Sequence, residues 1–358
     1  MQSEYDFEGR AAGPRVLVIG ATGFLGKPLV HHLHTRKAQI FAMHRGVTGD
    51  PERGEIILCD RSDSERLANL ARLERFDVVI DLLAMTVRET LPVIHALSGR
   101  IGRYILVSSA DVYRNYEGLH RKGSAEAFDL LKYDSPLRTI RYPYKGPDGQ
   151  SLISHVPADY DKIPIEGAVR AHSGFDWTIL RLPIVYGPGD RQRRFSSLIR
   201  RMADGRGVLP LERQWASWQA SYGYVDNVAD AIAQVAMADN AHGLTINLGP
   251  ESAMSVVGMA RALARVTDWH GELLVTEDQA MPAHMAALAR NHDFRYFLRM
   301  DTGALWNHFD YFDRVALDIG LRETVEDELK RSRPGHLDED YAAEDRWLSR
   351  SGGVTLSG

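Results

Sequence analysis

Tyr160 stands two residues before Lys162 in the stretch ADYDKIPIE, and a phenol beside an ammonium group can do acid–base chemistry. A free phenol titrates at about 10 and is a poor base at neutral pH, whereas a neighbouring cation favours its ionised form. Spacing is the difficulty. Residues i and i+2 of an α-helix point about 200° apart, so a helical Tyr160 would not share a face with Lys162. Pro164 changes the expectation, because proline is tolerated in a first helical turn but not in a helix interior. The spacing therefore predicts a helix with Asp161 as N-cap and Lys162 in its first turn. Tyr160 then lies ahead of the helix in extended backbone.

A second set of residues points to a phosphate-bearing cofactor. In VLVIGATGFLG, Gly20, Gly23 and Gly26 follow an apolar strand and open a helix. Gly20 permits the tight turn, Gly23 lets the backbone approach a pyrophosphate, and Gly26 allows close helix packing. The helix N-terminus then offers N–H groups to the phosphates. Thr22, Phe24 and Leu25 belong to the same loop. The second strand ends in MHRG, with His44 and Arg45 and no acid where an adenosine ribose would lie. A guanidinium there suits the 2′-phosphate of NADP better than the bare ribose of NAD. Asp60, ending the next strand, is a candidate acceptor for the adenine amino group or a turn cap, with Arg61 beside it.

These residues need a scaffold, and the apolar pattern supplies one. RVLVIG, AQIFAMHR, GEIILCD, FDVVIDLLA and RYILVSS read as strands, alternating with helical segments near Phe24–His34 and in RETLPVIHALS. Strands this apolar are covered on both faces, as in a parallel sheet wrapped by helices. The predicted fold class is α/β, a doubly wound, Rossmann-type parallel sheet with a smaller mixed α/β C-terminal substrate domain. Residues 1–13 read as a lead-in and 14–186 as the dinucleotide-binding domain. A turn-rich insertion at about 114–159 interrupts it. Residues 187–335 are mainly the substrate domain, with 222–250 returning to the Rossmann core, and 336–358 form a C-terminal tail.

The 358 residues carry a formal charge of −5, with 44% hydrophobic and 25% charged residues. That balance describes an ordinary globular protein and gives no global field to attract nucleic acid or anionic lipid. Cys59, the one cysteine, has no intrachain partner and fits a reducing compartment. No apolar run reaches the roughly 18 residues of a membrane span, and the first residues lack the pattern of a signal peptide. A cytoplasmic location is expected, with a small-molecule substrate, no membrane partner and no nucleic acid. A homodimer is left open.

The glycine loop, LVSSADVY and ILRLPIVYGPGD together resemble the extended short-chain dehydrogenase/reductase family, with its epimerases, dehydratases and carbonyl reductases, over roughly residues 14–335. The resemblance implies that Ser109 hydrogen-bonds the substrate oxygen, that Tyr160 transfers the proton, and that Lys162 tunes the phenol and holds the nicotinamide ribose. It places Leu83, Ser108 and Pro183 along the cofactor. Family members carry the tyrosine four residues before the lysine, where this chain has Ala158. DSPLRTIRYPYKG resembles the stretch that leads into the catalytic tyrosine, so Tyr144 and Tyr142 compete with Tyr160. Tyr113 and Tyr116 are expected to be structural. Nucleotide-sugar enzymes of the family also hold the diphosphate with an Arg six residues before the Asp of the VDNVAD helix, and here that position is Ala220.

On the substrate side, LERQWASWQASYGY brings Trp215, Trp218, Tyr222 and Tyr224 together, walls suited to a sugar face or a polycyclic ring. GDRQRRF adds Arg193 and its neighbours for an acidic group. Histidines such as His31 with His34, or His284 with His292, lack a carboxylate or thiolate to complete a metal set, so no metal is expected. The function expected is NAD(P)-dependent oxidoreductase, epimerase or dehydratase chemistry at a hydroxyl or carbonyl carbon. Two rivals remain: a non-catalytic NADP-binding sensor or RNA-associated scaffold, and a non-redox enzyme using the same pocket. The presence of Ser109 and Lys162 and the negative charge weigh against the scaffold.

Overall fold

A computed structural model describes residues 13–350 apart from 47, 48, 50–52, 124, 125, 154 and 279. Residues 1–12 of the expected lead-in and 351–358 of the expected tail lie outside the described residues.

Six of the seven central strands come first: β1 (Arg15–Ile19), β2 (Gln39–His44), β3 (Glu55–Leu58), β4 (Phe76–Asp81), β5 (Ile101–Ser109) and β6 (Asp176–Leu182). Strand β7 (Ile184–Tyr186) pairs elsewhere, with β10 (Tyr222–Tyr224). Between them lie β8 (Val208–Glu212) and β9 (Gln219–Ala220), and β11 (Leu244–Asn247) closes the central sheet. Its order is β11-β6-β5-β4-β1-β2-β3, with every pair parallel. Strand order reverses between β1 and β4, so the crevice for a ligand opens above their carboxyl ends. Val16 to Ile19 are fully buried, as a central strand covered on both faces requires.

Helices α1 (Gly26–Thr35), α2 (Ser64–Leu73) and α3 (Val87–Leu97) connect the first strands. After β5 come the short α4 (Arg114–Leu119) and then α5 (Lys162–Ala171). Between α4 and α5 the described residues form neither helix nor strand. A connection of that length needs polar anchors to stay ordered, and α4 supplies them. The buried Glu117 carboxylate accepts the Thr139 and Ile140 amides at 2.6 and 3.0 Å, and Asn115 Nδ2 donates to Phe128 O at 2.7 Å.

The second lobe comprises α6 (Ser196–Ala203), α7 (Arg213–Ser217), β12 (Met254–Ser255), α9 (Val256–Val266), β13 (Glu272–Thr276), α10 (Ala283–Asn291) and α11 (Leu317–Lys330), with β8 and β13 pairing in parallel. Helix α8 (Val225–Met237) and β11 belong to the Rossmann layer. His32 of α1 reaches Asp226 at 3.0 Å and Asp230 at 3.2 Å, tying α1 to α8. The tail expected from residue 336 is a correction: residues 337–350 form α12 (Leu337–Arg350). Its buried Glu344 accepts from Arg201 at 2.6 Å, and Trp347 Nε1 donates to Asp278 at 2.7 Å. Leu337 and Trp347 are its buried apolar residues, too few to reveal the helix from pattern.

Candidate active site

The cofactor crevice begins at the glycine loop. Gly20 has φ +95°, a conformation that favours glycine, and its N–H reaches Met43 O at 3.0 Å. A Cβ on Gly26 would stand 2.2 Å from Gly20 O, so the helix packs directly on the loop. Above it lies a cavity of about 610 Å³ lined by Gly20, Thr22, Gly23, His44, Arg45, Asp60, Arg61, Leu83 and Arg191. Phe24 lines an adjoining cavity with Thr22, Gly23 and Arg191. This cradle fits a dinucleotide: close backbone at the phosphates, then cations toward the second strand.

Several expected cofactor residues do other work. Arg61 forms a bidentate pair with the fully buried Asp81, at 3.0 and 2.9 Å. Its charge is therefore already matched. Ser108 donates to the buried Glu166 at 2.6 Å, which Arg181 grips at 3.0 and 2.8 Å. Ser108 thus stabilises the sheet–helix joint and lines neither cavity. Leu25 packs against the main core. Asp60 caps a turn, accepting the Ser62 amide and hydroxyl at 2.9 and 2.8 Å. Those bonds hold its carboxyl below the usual range. Arg45 is 68% exposed, and among the described residues its nearest ion partner is Asp60 at 3.9 Å, which leaves donors for a ligand.

Helix α5 begins as Pro164 requires. Asp161 is the extended N-cap and its carboxylate accepts the Ile163 amide at 3.3 Å. Lys162 is buried, with Nζ donating to Ala84 O at 2.6 Å and Val107 O at 2.8 Å. Desolvation pushes its pKa down to about 8, against the attraction of Asp81 and Asp111. An ammonium has three donors, and these two carbonyls leave one. Tyr160, ahead of the helix, has its ring centroid 5.8 Å from that ammonium.

The phenol of Tyr160 donates to Asp111 Oδ2 at 2.8 Å and interacts with the Ser109 hydroxyl. Ser109, Tyr160 and Lys162 are thus brought together. Tyr144 donates to the same Oδ2 at 3.0 Å, its ring 5.1 Å from that of Tyr160. Asp111 Oδ1 is buried without a hydrogen-bond partner among the described residues. Burial raises the Asp111 pKa, opposed by the charge of Arg138. Burial and then Asp111 push both phenols well above their usual value. Arg138 fixes this cluster from behind: Nε donates to Asp111 O at 2.9 Å, and Nη2 pairs with Asp161.

Ser109, Asp111 and Tyr144 open onto a cavity of about 380 Å³ walled by Tyr116, Pro183, Arg194, Trp215, Trp218, Tyr222 and Phe294. Tyr160 is 6% exposed and lies outside this wall. Tyr113, fully buried, hydrogen-bonds Asn247, while Tyr116 faces the cavity. Tyr142 is more than one-third exposed and stands outside the wall. Arg193, expected at the substrate, is a correction. It pairs with Glu328 through Nε at 2.9 Å and Nη2 at 2.5 Å, fastening the α6 entry to α11, and its neighbour Arg194 faces the cavity instead.

Known proteins share the chain's fold and much of its sequence pattern. The model of the NAD dependent epimerase/dehydratase family fits residues 16–127 and 162–249, on both sides of the long excursion. The chain belongs to that family. It is accordingly an enzyme of the NAD(P)-dependent oxidoreductase, epimerase and dehydratase type. A Streptomyces protein described as a 3-diazoavenalumate denitrifying reductase is 26% identical over 222 residues, 61% of this chain and 70% of that one. The UDP-glucose 4-epimerase of Thermus thermophilus, solved with NAD, superposes with a TM-score of 0.60 at 18% identity, covering 89% of this chain and all of that one. The UDP-glucuronic acid 4-epimerase of Bacillus cereus, also with NAD, gives 0.62 at 16% identity, covering 88% and 99%. At such identities the two structures speak for the fold.

Asp111 and Arg138 were missed as functional residues. Asp111 carried a signal, an acid two residues past Ser109 just beyond a largely apolar strand. Arg138 carried none, because its partners are distant in sequence.

Proposed function

We propose that this family member is an NADP-dependent reductase acting on a carbonyl carbon of a small metabolite, with its proton supplied by the Asp111–Tyr144–Tyr160 cluster. The observation that carries the reading is the convergence of two phenols on one oxygen of a buried carboxyl beside Ser109 and Lys162. When bound, the nicotinamide supplies a hydride to the substrate carbon. The chain's own residues manage the oxygen.

Ser109 orients that oxygen, and the third N–H of Lys162 is left for the cofactor ribose. A phenol gives its proton to the oxygen as negative charge develops there, and Asp111, whose carboxyl burial makes easier to protonate, relays the replacing proton. Phenols raised above their usual pKa are protonated at neutral pH, as an ordinary phenol is, and are available as donors in the reductive direction. The likeness to a denitrifying reductase supports the same direction. NADP is favoured by the exposed Arg45 at the second strand end and by the engagement of Asp60 with Ser62.

The test is NADPH oxidation followed at 340 nm with a panel of small ketones and aldehydes, comparing wild type with Tyr144→Phe and Tyr160→Phe. At least one single variant should lose about 100-fold or more in kcat, within the range of general acid catalysis. Full turnover in both would sink the proposal.

A further inference from the structure

The substrate cavity has an unusual balance of faces and charges. Its wall includes the rings of Tyr116, Tyr144, Trp215, Trp218, Tyr222 and Phe294. Trp218 already donates Nε1 to Tyr296 O at 2.9 Å, so its donor is occupied by the protein. Rings of this kind bind flat apolar ligands, with a few polar groups fixing orientation.

The cations in the wall are few. Arg194 is the one arginine or lysine among its described residues, and burial pushes the pKa of His120 down to about 4, which leaves that ring neutral near pH 7. Arg194 Nη1 is anchored to Asp190 Oδ1 and Val185 O, both at 2.7 Å. Its Nε and Nη2 have no partner among the described residues, and these two donors form the edge that matches a carboxylate. Asp190 already compensates part of the charge, which suits one negative charge and not two. A diphosphate would meet a single half-compensated guanidinium. Ala220, where a diphosphate-binding arginine was sought, is fully buried in β9.

We propose that this cavity takes a planar aromatic substrate bearing one carboxylate, which Arg194 holds, and that it does not take a nucleoside diphosphate sugar. The proposal rests on reading the same cavity as the reductase's substrate site. The ring stacks among the aromatic walls, the carboxylate pairs with Nε and Nη2 of Arg194, and the reacting carbon faces Ser109, Asp111 and Tyr144.

Calorimetric titration of the full chain, saturated with whichever of NADP+ or NAD+ it binds, tests this with trans-cinnamate, methyl cinnamate and UDP-glucose. Cinnamate should bind, the ester at least tenfold more weakly, and UDP-glucose more weakly than either. Arg194→Gln should bring the acid down to the level of the ester. Trp215→Ala, which leaves the Asp190 anchor intact, should weaken acid and ester alike. Tighter binding of UDP-glucose, equal binding of acid and ester, or no binding of cinnamate overturns the proposal. The wild-type comparison needs no variant to fold. Failure of the reductase reading has a different signature, namely no nucleotide binding in the same instrument, or full turnover in both phenylalanine variants with the acid-over-ester preference intact.

Discussion

Tyr160 donates to Oδ2 of Asp111 across 2.8 Å, and this bond joins a residue two positions before α5 to one two positions past β5. It answers the problem of the short spacing to Lys162. The phenol is not aimed by helical periodicity; it is aimed by a carboxyl 49 positions earlier in the chain. Tyr144 arrives at the same oxygen from the excursion, 33 positions away. The carboxyl therefore gathers two proton carriers that the chain keeps apart.

Replacing that carboxyl separates catalysis from stability. Asparagine at position 111 keeps an oxygen to accept both phenols but cannot carry the exchangeable proton. The native Asp111 pKa is raised by burial, so the folded state binds more protons than the unfolded chain once pH exceeds the unfolded value. Stability from this group is complete below about pH 3.9, the unfolded value, and falls as pH rises through the folded one. Asp111→Asn should therefore lose about 100-fold in kcat while its thermal midpoint at pH 7 equals or exceeds that of wild type. Calorimetric melts beside the NADPH assay check both halves, and a large fall in the midpoint would show that the carboxyl is chiefly structural.

Lys162 sets a limit at the alkaline side. Its pKa is lowered by desolvation to about 8 from 10.5, so the unfolded chain binds more protons than the folded one between those values. Stability rises with pH across that window, and the cost of the buried ammonium is complete below it. The ammonium that holds the ribose disappears over the same range. We expect kcat/KM to fall with an apparent midpoint near pH 8, and wild-type stability to rise relative to Lys162→Met between pH 7.5 and pH 9.5 in urea titrations. A flat rate profile to about pH 9.5 would remove Lys162 from the proton and ribose chemistry.

What could be read in the chain without a structure was local. The glycine loop, the α5 start forced by Pro164, and Ser109 each depend on residues within one turn or strand end. What was not legible also has one physical cause, since each of these side chains pairs across the fold. Arg61 meets Asp81 twenty positions on, Ser108 meets Glu166 fifty-eight positions on, and Arg193 meets Glu328 one hundred and thirty-five positions on. A charged or hydroxyl side chain near a strand end looks available for a ligand until its buried partner is known. Helix α12 was hidden for the same reason, its polar anchors being distant.

Cofactor choice turns on Arg45. The side chain is 68% exposed, and among the described residues its ion contact is a long one to Asp60, so its removal should not disturb the fold. Arg45→Ala should weaken NADPH about tenfold or more, the order expected for a charge-assisted contact to phosphate, and leave NADH within about twofold. Fluorescence titration of the two nucleotides measures this. Equal losses for both would assign the 2′-phosphate to another residue, and a wild-type preference for NADH would reverse the cofactor reading.

Arg138 offers the most direct check on how the excursion builds the site. Its side chain is 1% exposed and pairs with Asp161, itself 2% exposed, while Nε holds the Asp111 carbonyl. Both ends of the proton cluster therefore depend on one guanidinium. Removing one partner of a buried pair costs about 3–5 kcal/mol where the other charge is left unpaired; Arg141, which also pairs with Asp161, puts the loss here at or below the lower end of that range. Arg138→Ala should lose stability of that order in urea and lose turnover as well. Arg138→Lys separates the two effects, because an ammonium can still neutralise Asp161 but cannot donate in one plane to Asp161 and Asp111 O. The lysine variant should recover part of the stability, with kcat remaining at least about tenfold down and KM little changed. Recovery of both together would mean that Arg138 acts through stability alone.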